Sequence, residues 1–508
     1  MRQTLRRSCG ECAKAKQKCD LQTPRCSRCT KRNSQCTYAN EPLTLTAPNS
    51  PQTPTTSDCG NQGSLTTYRI GSFDPFESYP QTRLPRERVQ RLIHSFLNKI
   101  AFQYYPLDLN ATSNPFLISW WPLALGDPVL FHVSLQTACL DDELLAQKGF
   151  QTSEILMADS VALLRRKVEN PMLAMQDGTL NSVITLATIE YGKGNFEVSK
   201  MHVDGVKKLV DMRGGINSVR QTSPLTGRMV SWVTMLVNGR PQFQTQDDTG
   251  IGDGIPPPAE WQLEWTDFDD DLYDIDDMEI DYAVKNVFTR LRTVFLRARR
   301  TPFPTTNCLH DLTCFVVHRL LLSAPSTEVA VPSPITECIR YAIILYMLIS
   351  QGPTYYSHAV FMESITTRFI DHLEQFESTG RQFDSLDVWL VSVGIVASTG
   401  TSRYSLFMDG ARFLATSLQL RSWEDIVVHI KRVLWLELEG GEDHFRSYWV
   451  TVLGMGDPST PPVSECSSPI EANSIAAGFL LNLMAPGRPV SVSSNYQRRQ
   501  SILVGPET

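Results

Sequence analysis

Long apolar runs are missing from this 508-residue chain. The longest, Tyr341 to Ile349, is closed off by Arg340 and Ser350, far short of the roughly 18–20 apolar residues that cross a bilayer. The first eight residues, MRQTLRRS, hold no apolar stretch, so no secretory leader is predicted and a reducing intracellular compartment is expected. Runs that alternate apolar and polar are scarce and no strand–helix–strand rhythm is found, which argues against a sheet-based fold. Catalytic signatures are lacking as well. Neither H-E-x-x-H nor G-x-S-x-G occurs, and Gly192-Lys193-Gly194 lacks the longer spacing of a phosphate loop. No enzyme is therefore expected. Residues 41–85 contain no sustained heptad, so no coiled coil is predicted there and the oligomeric state stays open.

Hydrophobic residues at 42% and charged residues at 20% describe a soluble globular protein, and the length predicts two or more folded units. Negative charge is scarce at the amino end. Residues 1–40 hold ten Lys/Arg against Glu11 and Asp20, a net +8, so the rest carries −15 of the total −7. A small basic head on a large acidic body implies that the head, and not the body, meets a polyanion.

The head is also where cysteines repeat. Cys9, Cys12 and Cys19 are spaced C-x2-C-x6-C, and after six residues Cys26, Cys29 and Cys36 repeat the spacing. In a reducing compartment such groups are read as metal ligands. Zinc takes four ligands with thiolate a favoured donor, so two ions need eight positions and six cysteines suffice only if two sulfurs bridge. One four-cysteine site, a disulfide framework and chance are the alternatives. The first would leave Cys19 and Cys36 idle at the same place in each half, and the second conflicts with the expected compartment. A segment this short cannot build an adequate apolar core, so metal binding must supply much of its folding energy. The third cysteine of each half is reached only if the chain bends back after a short helix. The remaining cysteines, Cys59, Cys139, Cys308, Cys314, Cys338 and Cys466, share no such spacing and are read as ordinary core or surface thiols.

The run CGECAKAKQKCDLQTPRCSRCTKRNSQC, Cys9 to Cys36, resembles the binuclear zinc cluster of fungal transcription factors. The resemblance implies two Zn²⁺ per chain, with Cys9 and Cys26 bridging, Cys12 and Cys19 completing one site, and Cys29 and Cys36 the other. It makes Pro24 the family's structural loop proline. It also implies double-stranded DNA as partner. The first cluster helix would enter the major groove, with Lys16, three residues before Cys19, on the guanines of a CGG-like triplet and Lys18 toward phosphate. A helix starting near Cys12 would carry Lys14, Lys16 and Lys18. Arg7, Arg25, Arg28 and Lys31 are further candidates for phosphate contact, which matters because Ala13 and Ala15 replace commonly basic family positions. The same basic run suits a nuclear address.

Residues 41–85, rich in Thr, Pro and Ser, read as a flexible linker. From residue 86 the apolar spacing turns helical, as in Val89, Leu92, Ile93, Phe96, Leu97 and Ile100. An all-α body over 86–490 is predicted, with breaks at 214–226, 240–283 and 455–472, and a disordered tail over 491–508. The stretch HVDGVKKLVDMRGG from His202, and later WVTMLVNGRP from Trp232, resemble the fungal-specific transcription factor body. Gly205 inside that helix suggests a close helix–helix approach, and His202 reads as a structural histidine. The acidic loop 240–283 carries ten acidic and no basic residues between Glu264 and Asp281. Its aromatic and aliphatic residues leave two readings open, a disordered activation segment and a solvated loop between helices.

The chain is accordingly expected to be mainly α: a two-zinc module at 1–40, a flexible linker, and a large all-α regulatory domain. Its expected role is nuclear, sequence-specific control of RNA polymerase II genes, by the resemblance in metabolic or secondary-metabolite pathways. Co-regulators are conceivable partners and a membrane is not. A zinc-stapled protein–protein or non-specific nucleic-acid adaptor is the competing expectation.

Overall fold

The computed structural model describes residues 10–19, 26–34, 36, 79–104, 112–147, 149–263, 272–276, 278–300, 306–323, 333–352, 358–377, 382–438 and 440–454. Two compact units divide the chain, Met1–Asp74 and Pro75–Thr508. In the first, α1 (Gly10–Lys14) and α2 (Ser27–Lys31) are single turns of helix.

The second unit is helical. Its elements are α3 (Arg86–Ser95), which runs through a wider turn at Phe96–Ile100 into α4 (Ala101–Tyr104), then α5 (Trp121–Gly126), α6 (Pro128–Ala146), α7 (Gln151–Val168), α8 (Pro171–Ala174), α9 (Asp177–Gly192), α10 (Phe196–Met212), α11 (Gly215–Thr222) and α12 (Pro224–Asn238). After the acidic loop come α13 (Tyr282–Arg300), α14 (Thr306–Leu322), α15 (Pro334–Gln351), α16 (Ala359–Glu377), α17 (Ser385–Ala397), α18 (Tyr404–Ser417), α19 (Trp423–Val433) and α20 (Gly441–Val452). Among the described residues a single isolated bridge, Thr245 with Ile255, is the nearest thing to a strand pairing.

Four helices are covered on all sides and carry the packing. α6 is buried from Val129 to Asp141 and α9 from Gly178 to Glu190; they pack on each other, with α7 and α10 outside them. α15 and α17 form the corresponding pair in the second half, flanked by α14, α16, α18 and α19. A helix buried all round has no polar face, yet α9 holds Ser182, Thr185 and Thr188 fully or nearly buried. Each hydroxyl returns to a carbonyl of its own helix, Ser182 to Gly178 at 2.6 Å and Thr185 to Asn181 at 2.7 Å, so these hydroxyls are satisfied where water is absent. Asp127 starts α6 by accepting from the Val129 and Leu130 N–H groups, and Pro128 follows at the first helical position.

The two halves are tied through Asp311 on α14. Arg228 grips its carboxylate with two nitrogens and Arg220 adds a contact at 2.8 Å. Burial alone would raise the Asp311 pKa, but the hydrogen bonds from Arg228 and the two guanidinium charges outweigh it and hold the group below the usual carboxylate range. Arg340, 1% exposed, is likewise held by Glu337 and the Leu320 carbonyl, joining α15 to the end of α14.

Several boundaries differ from the sequence reading. The body begins before residue 86: Tyr79 stacks on Phe131 with ring centroids 5.6 Å apart, and Arg83 pairs with Asp159. The end of the proposed linker is thus part of the core's surface layer, while residues 41–78 lie outside the described set. The predicted break at 214–226 is mostly helix, because Gly214 and Gly215, at φ +86° and +91°, end α10 and Pro224 opens α12 at once. Gly205 needs no close approach, since a methyl there would meet Val183 at an ordinary 3.9 Å. Gly394 does, because a methyl would fall 2.1 Å from the Phe407 ring. His202 is half-buried on α10, and burial lowers its pKa. Cys139, Cys314 and Cys338 are fully buried and Cys308 half-buried, while Cys59, Cys466 and everything after residue 454 lie outside the described residues.

Residues 240–263 are docked on the body, and so are 272–276 and 278–281 of the acidic run Glu264–Asp281, which favours the inter-helix loop reading for those residues; 264–271 and 277 lie outside the described residues. Asp248 accepts from Trp261 Nε1 at 3.0 Å and Asn286 Nδ2 at 2.7 Å, and Arg319 and Arg290 stand at 3.3 and 3.5 Å. Burial pushes its carboxyl up, but these donors and charges win and its pKa is lowered. Ile255, Trp261 and Ile275 are buried, Tyr273 bonds Asp384 through its hydroxyl at 2.7 Å, and Asp276 pairs with Lys285 at 2.8 Å. The Lys285 partner on α13 offsets the charge of Asp276, and Arg290 and Arg319 offset that of Asp248.

Two outcomes follow. Asp248→Ala strips a shared acceptor from two arginines and should destabilise the body by roughly 2–3 kcal/mol, with amide exchange accelerated first in residues 243–263; unchanged protection there would contradict the pinning role. Burial lowers His310, His318 and His358 to a pKa of about 4. The unfolded chain binds protons at these sites below its own value near 6.5, so their stabilising effect is complete above that pH and is lost as pH falls toward 4. Melting of the full chain should shift steeply downward between pH 6.5 and 4.5, by up to about 1.4 kcal/mol per pH unit for each histidine.

Candidate metal centre and nucleic-acid interface

Each half of the head is built from the same three parts: a short helix, a left-handed turn and a returning cysteine. In the first half the Gln17 N–H donates to the Cys12 carbonyl at 3.0 Å, with Lys16 at φ +50° between them. In the second, the Ser34 N–H donates to the Cys29 carbonyl at 3.0 Å, with Asn33 at φ +49°. Both are six-to-one helix endings. They reverse the chain after α1 and α2, which is how a cysteine seven positions beyond its partner returns to the same cluster.

The lysines sit differently from expectation. α1 begins at Gly10 and ends at Lys14, so Lys14 alone lies on the helix; Lys16 occupies the turn and Lys18 the irregular chain entering Cys19. A helix continued to Lys18 would rise about 1.5 Å per residue away from Cys12 and leave Cys19 out of reach.

The sulfurs converge. Cys12 Sγ and Cys26 Sγ are 3.7 Å apart, and the sulfurs of Cys12, Cys26 and Cys29 all lie within 4.8 Å of one another. Two thiolates bound at roughly 2.3 Å to one tetrahedral zinc stand about 3.8 Å apart, whereas a disulfide holds them at about 2.05 Å. The spacing suits shared metal ligation. Cys36 Sγ accepts the Cys26 N–H at 3.3 Å, and Cys26 Sγ accepts the Cys29 N–H at 3.4 Å; amide donors of this kind stabilise thiolate charge. Cys12, Cys26, Cys29 and Cys36 are buried and the half-buried Cys19 packs against them. Cys9 lies outside the described residues. Zinc, when bound, supplies the crosslink that a hydrocarbon core would otherwise provide.

Around this centre the basic side chains point outward. Lys14, Lys16, Lys18, Arg28, Lys31 and Arg32 are all exposed. Lys14 pairs with Glu11 on its own helix at 3.1 Å, a contact of little worth in water. Arg28 Nη1 donates to the Lys18 carbonyl at 3.3 Å, crossing from the second half to the first. Arg7, Pro24 and Arg25 lie outside the described residues. The sequence reading missed the two left-handed turns. Asn33 carried a signal, since Asn is favoured just past a helix end, but Lys16 carried none.

The position of Cys26 between the sulfurs of both halves generates a test on the full chain. Elemental analysis should find two zinc ions per molecule, and Cys26→Ala should reduce this below one, because its sulfur neighbours both Cys12 and Cys29. Retention of a full complement by that variant would show that Cys26 is not shared.

Residues 7–44 match the family model described as the fungal Zn(2)-Cys(6) binuclear cluster domain, and residues 91–275 match the fungal specific transcription factor domain. No curated protein and no solved structure matches the chain. Both matched families are transcription-factor domains rather than enzymes, and among the described residues no helix is long and apolar enough to cross a membrane. A cysteine head that matches the two-zinc cluster domain, followed in the same chain by a helical segment that matches the fungal specific transcription factor domain, identifies a DNA-binding transcription factor.

Proposed function

We propose that the head recognises CGG-like triplets through Lys16, with Cys9, Cys12, Cys19, Cys26, Cys29 and Cys36 holding the two zinc ions and Cys9 and Cys26 bridging them. The observation that carries this reading is the backbone of Lys16. A left-handed residue at a helix end is ordinarily glycine or asparagine, and a side chain with a Cβ adds roughly 1–2 kcal/mol of strain there. The matching turn uses Asn33. A strained, exposed lysine at the outer corner of the head is accounted for if its ammonium is used, and guanine O6 and N7 are suitable acceptors.

Lys18 and Lys14 flank it and, with Lys31, Arg25 and Arg7, supply phosphate contacts. The domains we assign are the cluster at 1–40, a linker ending before Tyr79, and a regulatory body from there onward. A nuclear location and control of RNA polymerase II genes, in metabolic or secondary-metabolite pathways, go with this reading. A non-specific zinc-stapled adaptor is the competing function, and base discrimination separates the two.

Lys16→Gly relieves the turn while deleting the ammonium. The full-length variant should keep its zinc and melt no lower than wild type, yet lose about 1–3 kcal/mol of discrimination between CGG-containing and scrambled duplexes. Lys18→Ala should instead weaken all duplexes alike and reduce the salt slope by about 0.9. Equal affinity of the wild-type protein for both duplexes would remove the base-reading function and leave the adaptor.

A further inference from the structure

We infer that Arg28 is a positioning residue for DNA reading rather than a phosphate contact: its guanidinium crosses from the second half of the head and fixes the backbone of the lysine-bearing turn. The inference rests on the role proposed for Lys16. Arg28 is on α2, one residue before the buried Cys29, so its Cα is anchored by the sulfur cluster. Its Nη1 donates to the Lys18 carbonyl at 3.3 Å. That carbonyl belongs to the segment between the left-handed Lys16 and Cys19, which lies outside any regular element and whose Gln17 N–H is turned back to Cys12.

The comparison of halves supports a dedicated role. Seventeen positions earlier, in the place equivalent to Arg28, stands Glu11, and it pairs within its own helix with Lys14 at 3.1 Å. The cross-half bond therefore does not come from the repeat as such. It runs in one direction, from the second half to the strand of chain that carries Lys16 and Lys18. A charged donor on a backbone carbonyl is a directional contact, and an oriented base contact needs an oriented backbone more than a phosphate contact does.

The two roles for Arg28 separate in one experiment on the full-length, zinc-loaded protein. Arg28→Ala, with Arg28→Met as a second variant that keeps the aliphatic stem, is titrated with CGG-containing and scrambled duplexes over a range of salt. Positioning predicts that the affinity ratio between the two duplexes falls about tenfold, that the salt slope stays within about 0.3 of wild type, and that zinc content remains two per chain. A phosphate contact predicts the reverse: an unchanged ratio and a slope lower by about 0.9. That result, or an unchanged ratio with an unchanged slope, overturns the inference. Should either variant lose zinc, the other carries the comparison. The Lys16→Gly protein run alongside keeps the two claims apart: if it retains wild-type discrimination the base-reading role has failed, whereas a loss there with none at Arg28 refutes the positioning role alone.

Discussion

Sulfur-to-sulfur convergence is the interaction on which the head depends. Among the described residues of the first unit the buried side chains are all cysteines, Cys12, Cys26, Cys29 and Cys36, with Cys19 packed against them. Among those described residues no aliphatic layer closes the two short helices together. Helices of five residues are far below the length that is stable alone in water, so the turns, the reversal of chain direction and the outward display of lysines all persist only while the cysteines are held. Metal affinity and folding free energy are one quantity in such a module.

The body obeys a different rule. Its stability comes from hydrocarbon burial around α6, α9, α15 and α17, in one continuous cluster, and buried charges such as Asp311 are paired, here with Arg220 and Arg228. Loss of zinc leaves that core untouched. Heat or acid, acting on three neutral buried histidines, attacks the body without reference to the cluster. The two units can therefore fail separately, which allows DNA binding to be abolished while the regulatory domain stays folded.

The metal centre was legible in the sequence because its information is local: ligand type and spacing fix which sulfurs can meet. The helices of the body were legible wherever one face repeats at three and four, and least so where that pattern is broken. The predicted break at 214–226 came from the Gly214–Gly215 and Ser223–Pro224 punctuation, which marks ends and starts of helices rather than a gap. The acidic loop left two readings open for an electrostatic reason. Ten carboxylates in eighteen residues repel in isolation; one of them, Asp276, is paired with the nearby Lys285, and earlier in the loop Asp248 meets Arg290 and Arg319, tens of residues distant in sequence. Tertiary charge pairing of that kind leaves no mark in a local window.

The turn at Lys16 joins the two functions of the head in a single piece of backbone. A left-handed residue there sends Cys19 back to the sulfurs, and the same reversal leaves the Lys16 side chain exposed. Any contact that Lys16 makes with a base is thus made by a residue whose conformation the metal centre enforces. On the base-reading role proposed for Lys16, two consequences are thermodynamic: zinc and DNA bind with positive coupling, since each favours the same closed turn, and metal ligation rather than DNA bears the strain at Lys16, so the reading surface forms before the duplex arrives. A lysine on a plain helix face would show neither property, because its backbone would be at rest with or without the cluster.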